Sequence, residues 1–370
     1  MPTRAAVNQR AGASVMSISA ALVAVILLLA ACAGDDGDGN DDDGSAAEPD
    51  APTTEPTEPE PVSHASPGCG TDADAPVVEE ERTLTVDDVE RRYLLTVPSA
   101  HDGETPRPVV FDFHGLMEGA EIHAGMTAYS DLAEDEGFVV VYPHGTDVPV
   151  RWNISSESPN PDVVYFDAVL DQVTSTLCID ESRVYATGLS NGAMFTSMLI
   201  CERAEVLAAA APVAGIMDVD PCGQSRPVPI VSFHGTADPI LLFNGGVDIS
   251  AIPGSDDEDT SEVPDLVDPA TEPPPVDLDG DGHPATVSTF AERNGCASDH
   301  TDHELTDEVI HRVYDCPDGA DVEFYIVLDG GHTWPSSEFS RSIEAIVGHT
   351  TFDIDATRDA WEFMSRFTTR

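Results

Sequence analysis

A Gly-x-Ser-x-Gly turn, Gly188 to Gly192, constrains the fold of this chain more than any other feature, because it joins a short apolar run to a segment compatible with a helix. In a strand–turn–helix of this kind the serine lies on a sharp elbow, and its hydroxyl projects from the end of a sheet. Glycines are expected on both sides because a side chain there would clash with the neighbouring strand and helix. Ser190 is therefore a candidate nucleophile, which requires a base, an acid and oxyanion donors elsewhere. In the alternative interpretation, the two glycines only shape a turn.

Apolar runs without polar alternation recur along the chain, separated by segments with helical spacing. This pattern predicts an α/β fold with a mostly parallel central sheet and helices on both faces. An edge strand or hairpin is expected within 82–97. The buried strands are expected at 109–113, 138–142, 184–189, 228–233 and 322–328, with an apolar run at 206–213, and the helices at 124–136, 162–177, 193–201, 284–294 and 355–367.

Three predicted strand ends carry residues suited to nucleophilic catalysis: Ser190, Asp238 and His332. Ligands of parallel sheets bind at the carboxyl ends of strands, and the order nucleophile, acid, histidine is that of the α/β-hydrolases. His332 lies on a Gly-rich loop after the last predicted strand, which favours it as the base among twelve histidines. His234 also follows a strand, but its segment fits better with Asp238 as the acid.

The predicted oxyanion donors are the backbone N–H of Asn191, at the start of the helix after the nucleophile, and that of Leu116, after the first buried strand. The alternative for the His114-Gly115 segment is a plain turn at the end of the strand. His114, Trp152 and Trp334 are predicted to line the substrate pocket, where the indole rings could stack on an aromatic acid. Core packing is an equal alternative for both tryptophans.

The first 31 residues combine arginines, an apolar run and small residues before Cys32, which predicts a bacterial lipoprotein signal peptide. Acylation of Cys32 would then anchor the protein to the outer face of a membrane. A plain signal peptide that releases a secreted protein, or an uncleaved anchor, is the alternative. Residues 32–68 are acidic and rich in Pro, Thr and Gly, which predicts a disordered tether. Residues 69–370 form the predicted catalytic domain, with an acidic insertion at about 248–284.

Within that insertion, the run from Asp277 to Gly282 resembles the start of a calcium loop, but Ser288 stands where the bidentate glutamate would be. We therefore predict no metal site, and we expect no organic cofactor. An even number of cysteines in an exported domain favours three disulfides over free thiols, and Cys296 with Cys316 is the best single pair. The six candidates are Cys69, Cys178, Cys201, Cys222, Cys296 and Cys316.

Charge excludes one class of partner. The formal net charge is −53, and all sixteen basic residues are arginine. Nucleic-acid binding requires a basic face, so no nucleic-acid partner is expected. The sequence shows no second domain with an aromatic binding face for solid polymer, so we expect a small or oligomeric substrate. We also expect a monomeric protein.

Taken together, the motifs resemble the secreted polyhydroxybutyrate depolymerase and feruloyl esterase family, from about Asp87 to the C-terminus except 248–284. The segments that carry the resemblance are Phe113–Gly115, Val141–Gly145, Trp152–Asn153, Cys178–Asp180, Arg183–Gly192, His234–Pro239, Asn294–Cys296 and Gly330–Pro335. Leu116 and Asp329 depart from residues that are frequent in the family.

The resemblance implies an exported ester hydrolase in which Ser190 is the nucleophile, Asp238 the acid and His332 the base. It implies substrates that are esters of hydroxycinnamic acids on plant polysaccharides, or hydroxyalkanoate esters. Because both departures border the pocket, the resemblance does not decide between these substrates. The alternative function is a catalytically silent, surface-tethered binding protein with the same fold.

Overall fold

The computed structural model describes residues 64–71, 76–155, 158–248 and 275–369 of the 370-residue chain. The predictions for the signal segment, the acylation of Cys32 and most of the tether lie outside these described residues, as does most of the acidic insertion. No helix in the described part of the chain is long and apolar enough to cross a membrane.

The described strands form one ten-stranded sheet, in the order β1-β2-β4-β3-β5-β6-β7-β10-β9-β8. The six strands from β4 to β10 in this order are parallel, and antiparallel strands complete both edges. The strands are β1 (Val77–Val86), β2 (Val89–Val97), β3 (Arg107–Phe113), β4 (Val139–Pro143), β5 (Ile179–Leu189), β6 (Leu207–Val213), β7 (Ile230–Gly235), β8 (His300–Glu304), β9 (Val309–Tyr314) and β10 (Val322–Val327).

Helices cover both faces of this sheet, as the sequence predicts. The helices are α1 (Gly119–Thr127), α2 (Tyr129–Glu136), α3 (Pro161–Thr176), α4 (Asn191–Glu202), α5 (His283–Arg293), α6 (Glu338–Ser342), α7 (Glu344–Val347) and α8 (Ala356–Met364). One core holds buried side chains of α3, α4 and α5, and a second holds those of α1, α2 and α8. Neighbouring residues of β3 divide between the cores, because side chains alternate across a strand. The mostly parallel α/β architecture is therefore confirmed.

Besides the short helices α6 and α7, which were not predicted, two features of the secondary structure differ from the prediction. The single helix expected at 124–136 is two helices, because Ala128 adopts a left-handed conformation, with φ 53°, that ends α1 and begins α2. The break allows α1 to turn two of its polar side chains toward β3, as described below. The second difference is the hairpin of β8 and β9, which sequence periodicity missed because β8 is a polar strand at the edge of the sheet.

The six cysteines form three disulfides, Cys69–Cys178, Cys201–Cys222 and Cys296–Cys316. The predicted count and the predicted single pair are both confirmed. The predicted tether boundary at residue 68 is placed too late, because residues 64–68 already pack against the domain. The buried hydroxyl of Ser66 donates to Leu177 O (2.8 Å) and accepts from Ile179 N–H (2.9 Å). These bonds, next to the first disulfide, hold this segment to the end of α3.

The calcium-like run at the end of the insertion, Asp277–Gly282, is tied to the domain by protein groups. Asp279 pairs with Arg312 (2.9 Å), a buried arginine of β9 that also forms two bonds with Asp302 (2.8 and 2.9 Å). The Asn244 side chain donates to Asp277 O (2.7 Å). The described residues contain no group of three or more acidic, histidine or cysteine side chains arranged to hold a metal ion.

Candidate active site

Ser190 lies between the end of β5 and the start of α4, on the predicted elbow. Its backbone is in a strained conformation, with φ 56° and ψ −120°. A Cβ at Gly188 would lie 2.6 Å from Phe113 O, and one at Gly192 would lie 2.0 Å from the same oxygen. Both positions therefore require glycine, since α4 and β5 press against the end of β3. The geometry matches the interpretation of the turn as a nucleophile elbow.

Asp238 and His332 meet at the carboxyl ends of β7 and β10, which are parallel neighbours in the sheet. The imidazole Nδ1–H of His332 donates to Asp238 Oδ2 (2.7 Å), so Nε2 is left to accept a proton. Burial works against a charged imidazole, but the Asp238 carboxylate outweighs it and raises the pKa of His332. Among the hydrogen bonds of the described residues, none links this imidazole to the Ser190 hydroxyl.

Asp238 is fully buried, and four hydrogen-bond donors hold its carboxylate. Its Oδ1 accepts from the N–H groups of Ile240 (2.8 Å) and Leu241 (2.9 Å). Its Oδ2 accepts from His332 and lies 3.2 Å from His234 Nε2. Burial alone would raise the pKa of Asp238, but the charge of His332 and the bonds from His332 and His234 hold it well below its usual range. Asp238 is therefore an anion with a fixed orientation.

His234 supports this acid, a role that the sequence did not reveal. Its Nε2–H also donates to Leu241 O (2.9 Å). The ring of His283, the first residue of α5, stacks on it with the ring centroids 3.5 Å apart. Burial, with the nearby His234, places the pKa of His283 well below its usual range, so this second ring is neutral. The only sequence signal was the spacing of His234 four residues before Asp238.

The two predicted oxyanion donors are backbone N–H groups at the start of α4 and in the loop after β3. The N–H of Asn191 is at the first position of α4, where a helix has no partner for it. The N–H of Leu116 donates none of the backbone hydrogen bonds found among the described residues. The Asn191 side chain has a second role, because it accepts from Trp152 N–H (2.7 Å) and donates to Trp152 O (3.2 Å). It thereby ties the start of α4 to the loop after β4.

His114 is a buried structural group, so its assignment to the substrate pocket is wrong. Its Nδ1–H donates to Gly115 O (2.7 Å), and its Nε2 accepts from Gly145 N–H (2.9 Å). These two bonds require the neutral ring with the proton on Nδ1. Burial lowers the pKa of His114 to about 3, in agreement with that tautomer.

The two tryptophans are also misassigned as pocket walls, because each indole ring is only 1% exposed. Trp152 donates from Nε1 to His114 O (2.9 Å) and stacks on Phe195. Trp334 donates from Nε1 to Thr357 Oγ1 (2.9 Å) and meets the ring of His123 edge-on. A side chain that solvent cannot reach has no surface to offer a substrate. Of the two alternatives for these residues, core packing is correct.

A charged network beside the oxyanion loop, in which Asp112 and His123 are buried and Glu118 is partly exposed, was missed by sequence reasoning. Glu118 accepts from Gly115 N–H (2.8 Å) and from His123 Nδ1 (3.2 Å). His123 Nε2 lies 2.8 Å from Asp112 Oδ1, and Thr127 donates to the other oxygen of Asp112 (2.7 Å). Asp112 lies near the end of β3, Glu118 directly precedes α1, and His123 and Thr127 lie on α1, so no motif connects them in the sequence.

Comparison with known proteins agrees with this architecture. Residues 92–260 match the family model described as Esterase PHB depolymerase, a range that includes Ser190 and Asp238. The chain is similar to this family over that range. Feruloyl esterase B of Piromyces equi is 31% identical over 165 residues, which cover 42% of this chain and 31% of that protein. NocK of Nocardia uniformis subsp. tsuyamanensis, an esterase by name, is 29% identical over 365 residues, covering 92% of this chain and 96% of that protein.

A solved structure shows the same fold as this chain. The acetyl xylan esterase from Aspergillus awamori aligns with a TM-score of 0.52 over 77% of this chain and 99% of that chain. Its sequence identity is 15%, so this likeness concerns the fold alone. The chain spans less than a third of the length of feruloyl esterase B, and the activity of the whole protein is therefore argued from its own site.

Proposed function

We propose that this chain is an exported serine ester hydrolase, with Ser190 as nucleophile, His332 as base and Asp238 as acid. The observation that carries the proposal is the buried Asp238–His332 hydrogen bond (2.7 Å), on loops at the same edge of the parallel sheet as a strained serine elbow. Similarity to an esterase family over residues 92–260 supports the reaction type. Export is supported by the three disulfides, which persist in oxidising compartments.

In the proposed reaction, His332 Nε2 takes the proton of Ser190 as Oγ bonds to the ester carbonyl carbon. The carbonyl electron pair moves onto oxygen, and the N–H groups of Leu116 and Asn191 stabilise that oxyanion. Collapse breaks the bond to the alcohol oxygen, which takes the proton from the imidazolium and leaves an acyl-enzyme. Water then attacks by the same steps and releases the acid. Asp238 holds the imidazole tautomer and stabilises the imidazolium throughout.

The proposed substrates are feruloyl-type esters of polysaccharides or oligomers of hydroxybutyrate. Feruloyl esterase B supports the first class by its name and the family description supports the second. To rank the two substrate classes, turnover is measured side by side for methyl ferulate, a short-chain aryl ester and hydroxybutyrate oligomers. We also propose that the enzyme is exported, anchored at the cell surface and active as a monomer.

Labelling with a fluorophosphonate probe tests the reaction type. We expect the folded protein to be labelled at Ser190, and the Ser190→Ala variant to lose labelling and to lose turnover by at least about 10⁴-fold. Ser175→Ala, at an exposed serine of α3, is the matched control and should label normally. Absence of labelling in the folded wild-type protein would contradict the proposal and favour a silent binding protein.

A further inference from the structure

The N–H proposed as the first oxyanion donor belongs to the peptide between Gly115 and Leu116. Because a trans peptide is planar, the direction of its carbonyl sets the direction of its N–H. His114 Nδ1–H holds that carbonyl (2.7 Å). Glycine resists peptide rotation less than any other residue, so the geometry of this donor depends on what holds Gly115 from its other side.

The other side of Gly115 is held by Glu118. Its Oε2 accepts from Gly115 N–H (2.8 Å), three residues back across the turn that precedes α1. The turn itself is anchored by Met117 N–H, which donates to Val150 O (2.9 Å). With a hydrogen bond on each side, neither peptide that flanks Gly115 can flip without breaking one of them.

Glu118 is in turn held by His123 and Asp112. The two ring nitrogens of His123 face carboxylate oxygens, Glu118 Oε2 at 3.2 Å and Asp112 Oδ1 at 2.8 Å. A neutral imidazole has only one N–H, so the two contacts together require a protonated ring. Burial opposes that charge, but the two carboxylates outweigh it and raise the pKa of His123 to about 10. The imidazolium thus keeps an ionised Glu118 beneath the oxyanion loop.

We propose that Glu118 is a positioning residue for the Leu116 oxyanion donor, held in place by the imidazolium of His123 between it and Asp112. Glu118 acts on the reaction through Gly115, and it does not contact the reacting atoms. The proposal rests on the proposed function, since it concerns the same site. It assigns a role to a largely buried charged network, and buried ion pairs in general are weak evidence for a purely stabilising role.

Kinetics of Glu118 variants test the proposal. We expect Glu118→Ala to lower kcat by about 10²–10³-fold, the cost of losing one oxyanion donor, and to leave KM within about threefold. Glu118→Gln keeps an oxygen that accepts from Gly115 N–H, so its kcat should stay within about tenfold of the wild type. The rate of fluorophosphonate labelling should fall in parallel with kcat, because it forms the same kind of oxyanion.

Two further measurements separate positioning from a merely structural role. If His123 acts through Glu118, then His123→Ala should lower kcat, and the double variant should lose no more than Glu118→Ala alone. Glu118→Gln should also lower the apparent pKa of the kcat/KM profile, because the Glu118 charge contributes to the raised pKa of His332. The other groups that face this imidazole are Asp238, His234 and His283, and they are unchanged in that variant.

Glu323→Ala is the matched control. Glu323 is a mostly buried glutamate of β10 that bonds to a histidine, His311 (2.8 Å), at the opposite end of the strand from His332. Its loss should lower stability and leave kcat unchanged. Three results for a folded Glu118→Ala variant would overturn the proposal: an unchanged kcat, a loss of kcat no larger than that of Glu323→Ala, or a change in KM alone. A wild-type protein that neither turns over nor labels would instead contradict the proposed function.

Discussion

His114 and His123 are both fully buried and flank the same loop, yet they differ in charge. His114 bonds to a backbone carbonyl and a backbone N–H, and burial lowers its pKa to about 3. His123 is just as deeply buried, but it lies between two carboxylates that raise its pKa to about 10. Burial disfavours the charged form in both, so the partners decide the outcome. One loop is thus held by a neutral ring on one side and by an imidazolium on the other.

Because the two rings differ in charge, removing each of them should affect stability differently. Without His123, Asp112 is left as a buried carboxylate that forms no other ion pair with the described residues. Without His114, two backbone groups lose hydrogen bonds, but no charge is left uncompensated. The charged side is therefore more sensitive to mutation, although it is the neutral side that holds the oxyanion peptide directly.

The largest effect is expected from His123→Ala. Its free energy of unfolding should fall by about 3–5 kcal/mol, because removal of one member of a buried ion pair leaves the other charge unpaired. Urea unfolding with the disulfides intact measures this loss. Adding Asp112→Asn to the same variant should restore part of the loss, since it removes the unpaired charge. A loss below about 1 kcal/mol would mean that the two carboxylates do not depend on the imidazolium.

The two histidines should also give opposite pH dependences of stability. The folded pKa of His123 lies above its unfolded value, so its contribution is complete below about pH 6.5 and is lost as the pH rises through about 10. The folded pKa of His114 lies below its unfolded value, so stability is lost as the pH falls from about 6.5 toward 3. Each group contributes a slope of at most about 1.4 kcal/mol per pH unit.

Unfolding free energies of wild type and His123→Gln, measured from pH 6 to pH 10, check the alkaline part of this expectation. The groups that face His123 are the carboxylates of Asp112 and Glu118, which contact its two ring nitrogens. The difference between the two proteins should therefore shrink as the pH rises. A difference that does not change with pH would show that His123 is not protonated in the folded protein.

The smallest effects concern the tryptophans that pack on the two histidines. Trp152→Phe and Trp334→Phe each remove one indole hydrogen bond, to His114 O and to Thr357 Oγ1 respectively, which should cost about 1 kcal/mol of stability. Because both rings are buried, KM for aromatic and aliphatic esters should change by the same factor in either variant. A selective rise in KM for methyl ferulate would restore the abandoned pocket assignment for that ring.

Much of the fold and of the candidate site could be predicted because the responsible signals are local. Gly188 and Gly192 flank the serine because the backbone of β3 leaves no room for side chains, and this constraint is visible in five consecutive letters. The long apolar runs indicate a buried parallel sheet, and the order of Ser190, Asp238 and His332 follows from where those strands end. The Asp238–His332 contact was predictable because both residues directly follow parallel strands.

The failures have a common physical cause. Periodicity does not distinguish a tryptophan that lines a pocket from one that fills a core, because both are large and apolar. It also missed the break at Ala128, where turning α1 allows Thr127 and His123 to reach Asp112. The position of this break depends on contacts with Asp112 of β3, and no local sequence signal marks it.

The sequence by itself determined the strand–elbow–helix around Ser190, the parallel sheet and the residues that follow its strands, because steric limits and hydrophobic periodicity act over short distances along the chain. Only the tertiary structure decided which buried histidine is neutral and which is charged, and that Glu118 lies beneath the oxyanion loop. Protonation and hydrogen bonding depend on groups within a few ångströms in space, and folding brings those groups together from distant parts of the chain.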